Sequence, residues 1–215
     1  MLLLLVAVGA HSLGACAAST DSAVPGTPAG GEGTTPLPTR RAAVPTCALA
    51  PVLVPTPPAT VPRYAQLDET TDLHVTGVVP EVADLTTWRL VVDGTVSTPL
   101  ALTYDELRCL DRMEARPLLV CPGFFEDIAT WTGVPLRDVL TLAGAPTAGV
   151  RVRLYGADGY SQQISIEDAM APSVYLAYEW EGEPLPIIHG FPLRAVVPGS
   201  HGSAWVKWLY RIELF

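Results

Sequence analysis

The chain has very little lysine. Lys207 is its single lysine, and the other twelve basic residues are all arginine. Against these 13 basic residues stand 22 acidic ones, so the formal net charge is -9 over 215 residues. General nucleic-acid binding draws its affinity from clustered Lys and Arg that neutralise phosphates. The composition therefore excludes a general nucleic-acid-binding protein.

Several motifs of common chemistries are also missing. The sequence has no CxxC pair, no HExxH zinc motif, no CxxCH haem-attachment motif and no GxSxG nucleophile elbow. The stretch YGADGY, which begins at Tyr155, has too few glycines for a nucleotide-binding loop and is typical of a turn. These absences exclude a dithiol redox protein, a zinc protease of the HExxH type, a c-type cytochrome and a serine hydrolase of the GxSxG type.

The apolar run at the start of the chain is short. Leu2–Ala10 cannot span a bilayer core of about 30 Å, but it is typical of a signal peptide. The tetrapeptide LGAC that ends at Cys16 resembles a bacterial lipobox. We therefore predict a lipoprotein-type signal peptide over residues 1–16, a lipidated Cys16 and an extracytoplasmic protein anchored to the bacterial membrane. A plain secretory signal with a chance cysteine is the alternative, because no Lys or Arg precedes the run.

Proline and glycine are concentrated in the next segment. Residues 17–62 are rich in Pro, Gly, Ala, Ser and Thr and show no apolar period. Proline removes backbone donors and fixes φ, so such a stretch does not form a packed core. We predict a semi-extended, disordered tether over 17–62 and one globular domain over 63–215, which is long enough for one hydrophobic core.

Within this domain, strands and brief helices are interspersed without regular βαβ units, which predicts an α+β fold with mixed sheets. Asp93–Gly94 separates two apolar segments and indicates a tight hairpin. Thr103 and Glu106 form the pattern of a capping box and predict a short helix. The stretch over residues 122–133 is predicted to be a loop.

Cys121 is the first candidate for chemistry. It ends an apolar strand and opens a Pro-Gly loop, a position from which folds present reactive groups. If Cys16 carries lipid, three cysteines remain, so at least one thiol stays outside a disulfide. Cys121 could pair with Cys109 or fill a core position as a small hydrophobe. A Cys47–Cys109 disulfide would instead leave Cys121 as a thiol.

The C-terminal stretch PGSHGSAWVKWLYRI, residues 198–212, is the second candidate. Its glycines and Ser203 let the backbone approach a ligand closely. Lys207 adds a positive charge between Trp205 and Trp208. This pattern predicts an anion site, although a terminal strand with a solvated lysine has the same sequence.

A third candidate, HGFPLRAVVPG, lies just upstream. His189 and Arg194 flank a Gly-Phe-Pro-Leu turn that leads into an apolar strand. The planar guanidinium of arginine suits phosphate. The alternative is an ordinary surface arginine beside a structural histidine. Taken together, this motif and the stretch around Lys207 predict a phosphate-binding site, although neither does so alone.

The order of the motifs is more specific than each motif alone. A strand that ends in Cys121 is followed by WTGVPLRDVL, DGYS, HGFPLRAVVPG and VKWLYRIEL, in a set that covers roughly Leu73–Leu214. This order resembles the oxidoreductase molybdopterin-binding domain of the sulfite oxidase superfamily. The resemblance implies the sulfite oxidase-type fold, a Mo-molybdopterin cofactor and two-electron, oxygen-atom-transfer chemistry on a small-molecule substrate.

The resemblance also implies roles for particular residues. In that family one cysteine thiolate ligates molybdenum, and the matching residue here is Cys121, which would be both metal ligand and catalytic centre. Contacts to the pterin and its phosphate are implied at Gly156, His189, Arg194, Ser203, Trp205, Val206 and Lys207. Because the sequence holds no haem or iron–sulfur motif, electrons would pass to or from a separate partner, a cytochrome or a quinol-linked membrane subunit.

The chain departs from the family pattern beside the cysteine. Sulfite oxidases carry arginines there, whereas this chain has Phe124, Phe125 and Glu126, which we expect to face a neutral or cationic substrate instead of sulfite. The family's Phe/Arg-Asn-His segment is not visible between Arg63 and Leu73. A cofactor-free extracytoplasmic binding or scaffold lipoprotein on the same fold is therefore the alternative function. A role for Cys121 as a nucleophilic thiol is less well supported, because the sequence shows no well-placed His–Asp pair that would activate it.

Overall fold

The computed structural model describes residues 44–215. The predicted signal peptide, Cys16 and the first part of the predicted tether lie outside the described residues. Within the described part the chain forms mixed sheets with few short helices, so the α+β prediction is confirmed. No helix in residues 44–215 is both long enough and apolar enough to cross a bilayer.

The strands are β1 (Leu67–Asp68), β2 (Leu73–His74), β3 (Leu90–Gly94), β4 (Leu100–Leu102), β5 (Met113–Ala115), β6 (Leu118–Cys121), β7 (Phe125–Ile128), β8 (Trp131–Pro135), β9 (Arg151–Gly156), β10 (Ser161–Ser165), β11 (Tyr175–Trp180), β12 (Glu183–Pro184), β13 (Arg194–Val196) and β14 (Leu209–Leu214). The α-helices are α1 (Tyr104–Arg108), α2 (Leu136–Leu142) and α3 (Ile166–Ala169), and two 3-10 turns cover Ile187–His189 and Gly202–Ala204.

Two larger sheets carry the core. The first has the order β10-β9-β14-β3-β4, and its β14–β3 pair is parallel. The second has the order β12-β11-β8-β5, and β13 also pairs with β11. Side chains of both sheets, among them Leu154 and Ile212 from the first and Val134 and Leu176 from the second, belong to one buried apolar cluster. Two small hairpins, β1-β2 and β6-β7, are separate from these sheets.

Local signals in the sequence predicted several of these elements. At α1, the Glu106 N–H donates to Thr103 Oγ1 over 3.1 Å, and the Thr103 N–H donates to the Glu106 carboxylate over 3.0 Å, which completes the capping box. The Asp93–Gly94 pair ends β3, with Gly94 at φ +83°, and β3 and β4 pair antiparallel. The connection to β4 covers residues 95–99, so it is longer than the predicted tight turn.

The predicted loop over residues 122–133 is wrong, because this stretch contains β7 and the start of β8. The sequence gives no alternation for β8, since all of its residues are buried between β5 and β11. A Cβ on Gly133 would lie 2.0 Å from the Leu176 carbonyl oxygen, so the strands approach closely there. The pairing partners, which are distant in sequence, determine this strand.

The segment over residues 44–62 has no helix or strand, but it is fixed to the domain. Cys47 and Cys109 form a disulfide with their Cα atoms 5.5 Å apart. The Arg108 guanidinium donates to the Ala50 carbonyl over 3.3 Å, and Val44 is buried. This part of the predicted tether therefore lies against the domain, and Cys121 is left as the thiol outside the disulfide.

Replacing both Cys47 and Cys109 by Ser is expected to lower the free energy of unfolding by about 3–4 kcal/mol, because the disulfide closes a sequence separation of 62 residues. Urea unfolding followed by tryptophan fluorescence measures the change. Mild reduction of the wild-type protein should reproduce the loss. A double variant within about 0.5 kcal/mol of wild type would contradict the expectation.

Candidate active site

A cleft of about 500 Å³ opens among three segments of the chain: residues 64–78, the β6–β7 hairpin and residues 202–208. It brings together most of the residues that the sequence singled out, although they are far apart along the chain. Those that line it are Cys121, Phe125, His189, Arg194, Ser203, Trp205, Val206 and Lys207.

Cys121 is the last residue of β6 and lies opposite Phe125 in the β6–β7 hairpin. It is 4% exposed and lines the cleft. The loop that contains Gly199 and Gly202 is adjacent to the same strand, because Val120 forms a parallel bridge with His201. A Cβ on Gly202 would lie 3.2 Å from the Leu119 side chain, so the loop packs closely on β6. The strand end and the loop therefore hold the thiol and the Ser203 backbone at one cleft.

Arg194 is the first residue of β13 and is 3% exposed. Its guanidinium lies 4.4 Å from the ring centroid of Trp131 and 5.7 Å from that of Trp205. One terminal nitrogen donates to the His189 carbonyl over 3.1 Å, and Nε has no hydrogen-bond partner in the described part of the chain. Burial lowers the pKa of Arg194 to about 10, although the charges of Asp127 and Tyr175 act in the opposite direction.

Lys207 is also buried, at 8% exposure. Its Nζ donates to the carbonyls of Thr76 and Ile188, each over 3.0 Å, and lies 5.5 Å from the Trp208 ring centroid. Burial holds the pKa of Lys207 well below its usual value, and the charge of Arg194 lowers it further.

Among residues 44–215, neither Arg194 nor Lys207 forms an ion pair with a carboxylate. Buried charges are normally paired, because taking an ion out of water costs several kcal/mol. Two buried basic side chains therefore lie at one cleft, and within residues 44–215 each is contacted only by carbonyls and aromatic rings.

His189 lines the cleft, but its Nε2 is engaged with residues of the β1–β2 segment. Nε2 lies 2.9 Å from Thr71 Oγ1 and 3.2 Å from Asp68 Oδ2. Burial, followed by the charges of Lys207 and Arg194, lowers the pKa of His189 to about 3. The ring is therefore neutral and donates from Nε2 toward the Asp68 carboxylate, which fastens the β1–β2 hairpin to the wall of the cleft.

Gly156 ends β9 and does not line the cleft. A Cβ at this position would lie 2.6 Å from the Lys207 carbonyl oxygen and 2.7 Å from Asp158 Oδ1. The absence of a side chain thus permits the close approach of the Lys207 backbone. Gly156 acts on the position of Lys207 and is not placed to contact a ligand in the cleft directly.

The three residues expected to face substrate are placed differently from one another. Phe125 lines the cleft, and its ring stacks on that of His74 with centroids 4.4 Å apart. Phe124 is half exposed and does not line the cleft, but its ring meets edge to face that of Tyr64, which does line it. Glu126 is exposed and does not line the cleft, because alternation along β7 places Phe125 and Asp127 on one face and Glu126 on the other. Of the three, the structure brings Phe125 alone to the cleft.

Sequence reasoning missed a His–Asp pair in the cleft lining. His74 Nδ1 lies 2.6 Å from Asp127 Oδ1, and the His74 backbone N–H donates to Asp127 Oδ2 over 2.8 Å. No short-range signal joins these residues, which are 53 positions apart. Thr76, Gly77 and Val78 also line the cleft, so residues just after β2 provide the wall that the sequence left unassigned.

The fold and the family match that follows define the class of this chain as a molybdopterin-binding oxidoreductase domain of the sulfite oxidase type. Residues 76–215 match the oxidoreductase molybdopterin binding domain, and the chain belongs to that family. The resemblance inferred from the order of the motifs is therefore confirmed.

Proteins similar to this chain are named as oxidoreductases or reductases. It is 34% identical over 142 residues to the uncharacterized oxidoreductase YuiH of Bacillus subtilis, covering 66% of this chain and 71% of the relative. It is 35% identical over 169 residues to NADH nitrate reductase 2 of Phaseolus vulgaris, covering 63% of this chain and 19% of the relative. A putative protein-methionine-sulfoxide reductase subunit of Azospira oryzae is 33% identical over 126 residues, covering 59% and 48%.

A solved structure has the same fold. The sulfane dehydrogenase SoxCD of Paracoccus pantotrophus superposes with a TM-score of 0.59 at 27% identity, over 64% of this chain and 40% of that one. The chain thus spans less than half of the sulfane dehydrogenase chain and about a fifth of the nitrate reductase.

Proposed function

We propose that this oxidoreductase binds Mo-molybdopterin in the cleft, with Cys121 as the protein ligand of molybdenum, and carries out oxygen-atom transfer on a small molecule. One observation carries the proposal: Arg194 and Lys207 are buried without carboxylate partners among residues 44–215, at the cleft that the Cys121 thiol also lines. Membership of the molybdopterin-binding family implies the molybdenum cofactor.

The residues fit this group. A soft thiolate suits a redox metal, and Cys121 is the cysteine of the described chain that is outside the disulfide. Within residues 44–215 no group of three His, Cys, Asp or Glu side chains could hold a metal ion. The other metal ligands would therefore come from the cofactor. The Nε–H of Arg194, which has no partner in the described part of the chain, is available for a phosphate oxygen.

When bound, molybdopterin supplies the two-electron change and the oxygen-atom transfer. The chain orients that chemistry. Arg194, whose guanidinium lies over the rings of Trp131 and Trp205, and Lys207, held by two carbonyls, would bind the phosphate and the pterin. Burial strengthens these contacts, because the local dielectric constant is lower than that of water.

The substrate in this proposal is a small neutral or cationic molecule and not sulfite. Arg194 and Lys207 are assigned to the cofactor, and much of the remaining lining is aromatic or acidic, as at Phe125, Asp127 and Asp158. The Azospira relative is named as a putative protein-methionine-sulfoxide reductase subunit, which supports a sulfoxide or a similar neutral oxide.

The proposal includes a separate electron-transfer partner, since the sequence has no haem or iron–sulfur motif and the Azospira relative is named as a subunit. It places the protein outside the cytoplasm, attached to the membrane through lipidated Cys16. The Cys47–Cys109 disulfide supports this location, because such bonds persist mainly in oxidising compartments.

Metal analysis of the full chain, produced in a bacterial host fed with molybdate, tests the proposal. We expect near one Mo per chain and pterin fluorescence in the wild type, and loss of Mo or an altered Mo absorption spectrum in Cys121→Ser. Arg137→Met, at a half-exposed side chain outside the cleft lining, is the matched control and should keep its Mo. Folded wild-type protein without Mo or pterin would overturn the proposal and favour the cofactor-free binding lipoprotein.

A further inference from the structure

The geometry points to His74 as the catalytic proton-transfer residue of this site, with Asp127 as the positioning residue that orients it. Both residues line the cleft together with Cys121. The inference rests on the proposed function, because it assigns a proton path to that reaction.

The hydrogen bonds fix which nitrogen of His74 faces the reaction. Asp127 uses one carboxylate oxygen for His74 Nδ1 and the other for the His74 backbone N–H. An ionised carboxylate only accepts, so in the neutral ring Nδ1 carries the proton and Nε2 carries the lone pair. Nε2 lies at the opposite edge of the ring and has no hydrogen bond with the described residues. The side chain is 24% exposed, so that edge is reached from the cleft.

The ring is held more firmly than a structural contact between β2 and β7 requires. The bond from the His74 backbone to Asp127 would by itself join the two strands. The additional Nδ1 bond and the stacking on Phe125, with an interplanar angle of 8°, set the rotation of the ring. Asp127 is 7% exposed, so water competes little for its oxygens. An oriented imidazole with one nitrogen facing a cleft is the arrangement of a general acid–base catalyst.

The reaction needs such a group. In the reduction of a neutral oxide, the bond from sulfur or nitrogen to oxygen breaks, and the oxygen leaves as water after taking up two protons. The two electrons come from the electron-carrier partner. His74 would deliver one proton from Nε2 to the departing oxygen and regain it from solvent at the cleft mouth, while solvent supplies the second proton. In the oxidative direction water donates the oxygen and releases two protons, of which Nε2 accepts one, and the two electrons pass to the electron-carrier partner.

Two substitutions of His74 separate proton transfer from structure. In His74→Asn the amide nitrogen replaces Nδ1 and keeps the bond to Asp127, but nothing replaces Nε2. With dimethyl sulfoxide as the oxide and reduced benzyl viologen as the electron donor, we expect kcat to fall about 100- to 1000-fold and KM to change less than about threefold. His74→Gln, whose amide lies near the Nε2 position but cannot relay a proton, should lose as much kcat.

Two further readouts do not depend on turnover. Mo content and the thermal midpoint of His74→Asn should match the wild type. In 15N NMR the His74 ring should show the proton on Nδ1 in the wild type and a mixture of tautomers in Asp127→Asn, with a fall in kcat of about tenfold or more.

The inference is overturned if Mo-loaded His74→Asn keeps kcat within about threefold of wild type, if the wild-type ring carries its proton on Nε2, or if the Mo-loaded wild type does not reduce the oxide. A wild type that never holds Mo overturns the proposed function, and the inference falls with it. Mo content thus distinguishes the two failures.

Discussion

Arg194→Met is expected to weaken the retention of molybdopterin at least about 30-fold while the domain stays folded. A charge-assisted contact between a buried cation and its partner is typically worth about 2–5 kcal/mol when one side is removed. Arg194 offers an Nε–H without a partner in the described part of the chain, and its pKa of about 10 keeps it charged at neutral pH. The main effect of the substitution should therefore be weaker binding of the cofactor.

The same substitution should alter the stability of the cofactor-free domain by no more than about 2 kcal/mol. Methionine removes the cost of burying a cation and keeps apolar contact with Trp131 and Trp205. Against this gain stands the hydrogen bond to the His189 carbonyl, a contribution of about 1 kcal/mol. The two terms have opposite signs and therefore partly cancel.

Mo and pterin content after extensive gel filtration measures retention, and urea unfolding of cofactor-free protein measures stability. Arg194→Lys keeps the charge but loses the planar fork, so an intermediate loss of about tenfold is expected. Arg137→Met, at a half-exposed arginine outside the cleft lining, is the matched control and should retain the cofactor fully. If Arg194→Met retained as much cofactor as Arg137→Met, Arg194 would not bind it.

Much of the fold could be predicted from signals within a few residues of one another. The capping box of Thr103 and Glu106 and the cap of α3 at Ser165 depend only on neighbours, and both are formed. The strands β7 and β8 were missed because their stability comes from pairing with β6, β5 and β11. In addition, β8 is fully buried, and such a strand has no alternation for a sequence to display.

In the candidate site, too, local sequence signals could be recognised, whereas contacts with residues distant in sequence could not. Cys121, Arg194 and Lys207 could be singled out because a thiol after a strand and basic residues in apolar surroundings are unusual in themselves. The partners that hold Lys207 are the carbonyls of Thr76 and Ile188, and any residue type could provide them. For that reason the wall formed after β2 could not be located from sequence.

Three contacts fasten that wall to the rest of the domain. Asp68 meets His189, His74 meets Asp127, and the Thr76 carbonyl accepts from Lys207. Each contact joins the segment around β1 and β2 to a residue of the cleft lining. The integrity of the cleft therefore depends on the charge states of a few buried groups, among which His189 has the largest consequence for pH dependence.

Acid is expected to destabilise the domain between about pH 6.5 and 3 through His189, whose pKa in the folded protein is about 3 against an ordinary value of 6.5. In that range the unfolded chain binds a proton at His189 and the native protein does not, so the free energy of unfolding falls as pH falls. One such proton corresponds to about 1.4 kcal/mol per pH unit. Asp68 acts with the same sign at lower pH: burial alone would raise its pKa, but hydrogen bonds from Thr71, Thr70 and His189 lower it.

His189→Gln removes this titration and can still donate to Asp68, so its free energy of unfolding should be nearly independent of pH between 6 and 4, apart from groups shared with the wild type. Over those two units the wild type should lose about 2–3 kcal/mol more than the variant. Urea unfolding at pH 7, 6, 5 and 4 measures both curves, with His201→Gln at an exposed histidine as the matched control. If the free energy of unfolding had the same pH dependence in wild type and His189→Gln, His189 would be protonated in the folded protein. The interpretation that a neutral His189 fastens the β1–β2 hairpin to the cleft would then be wrong.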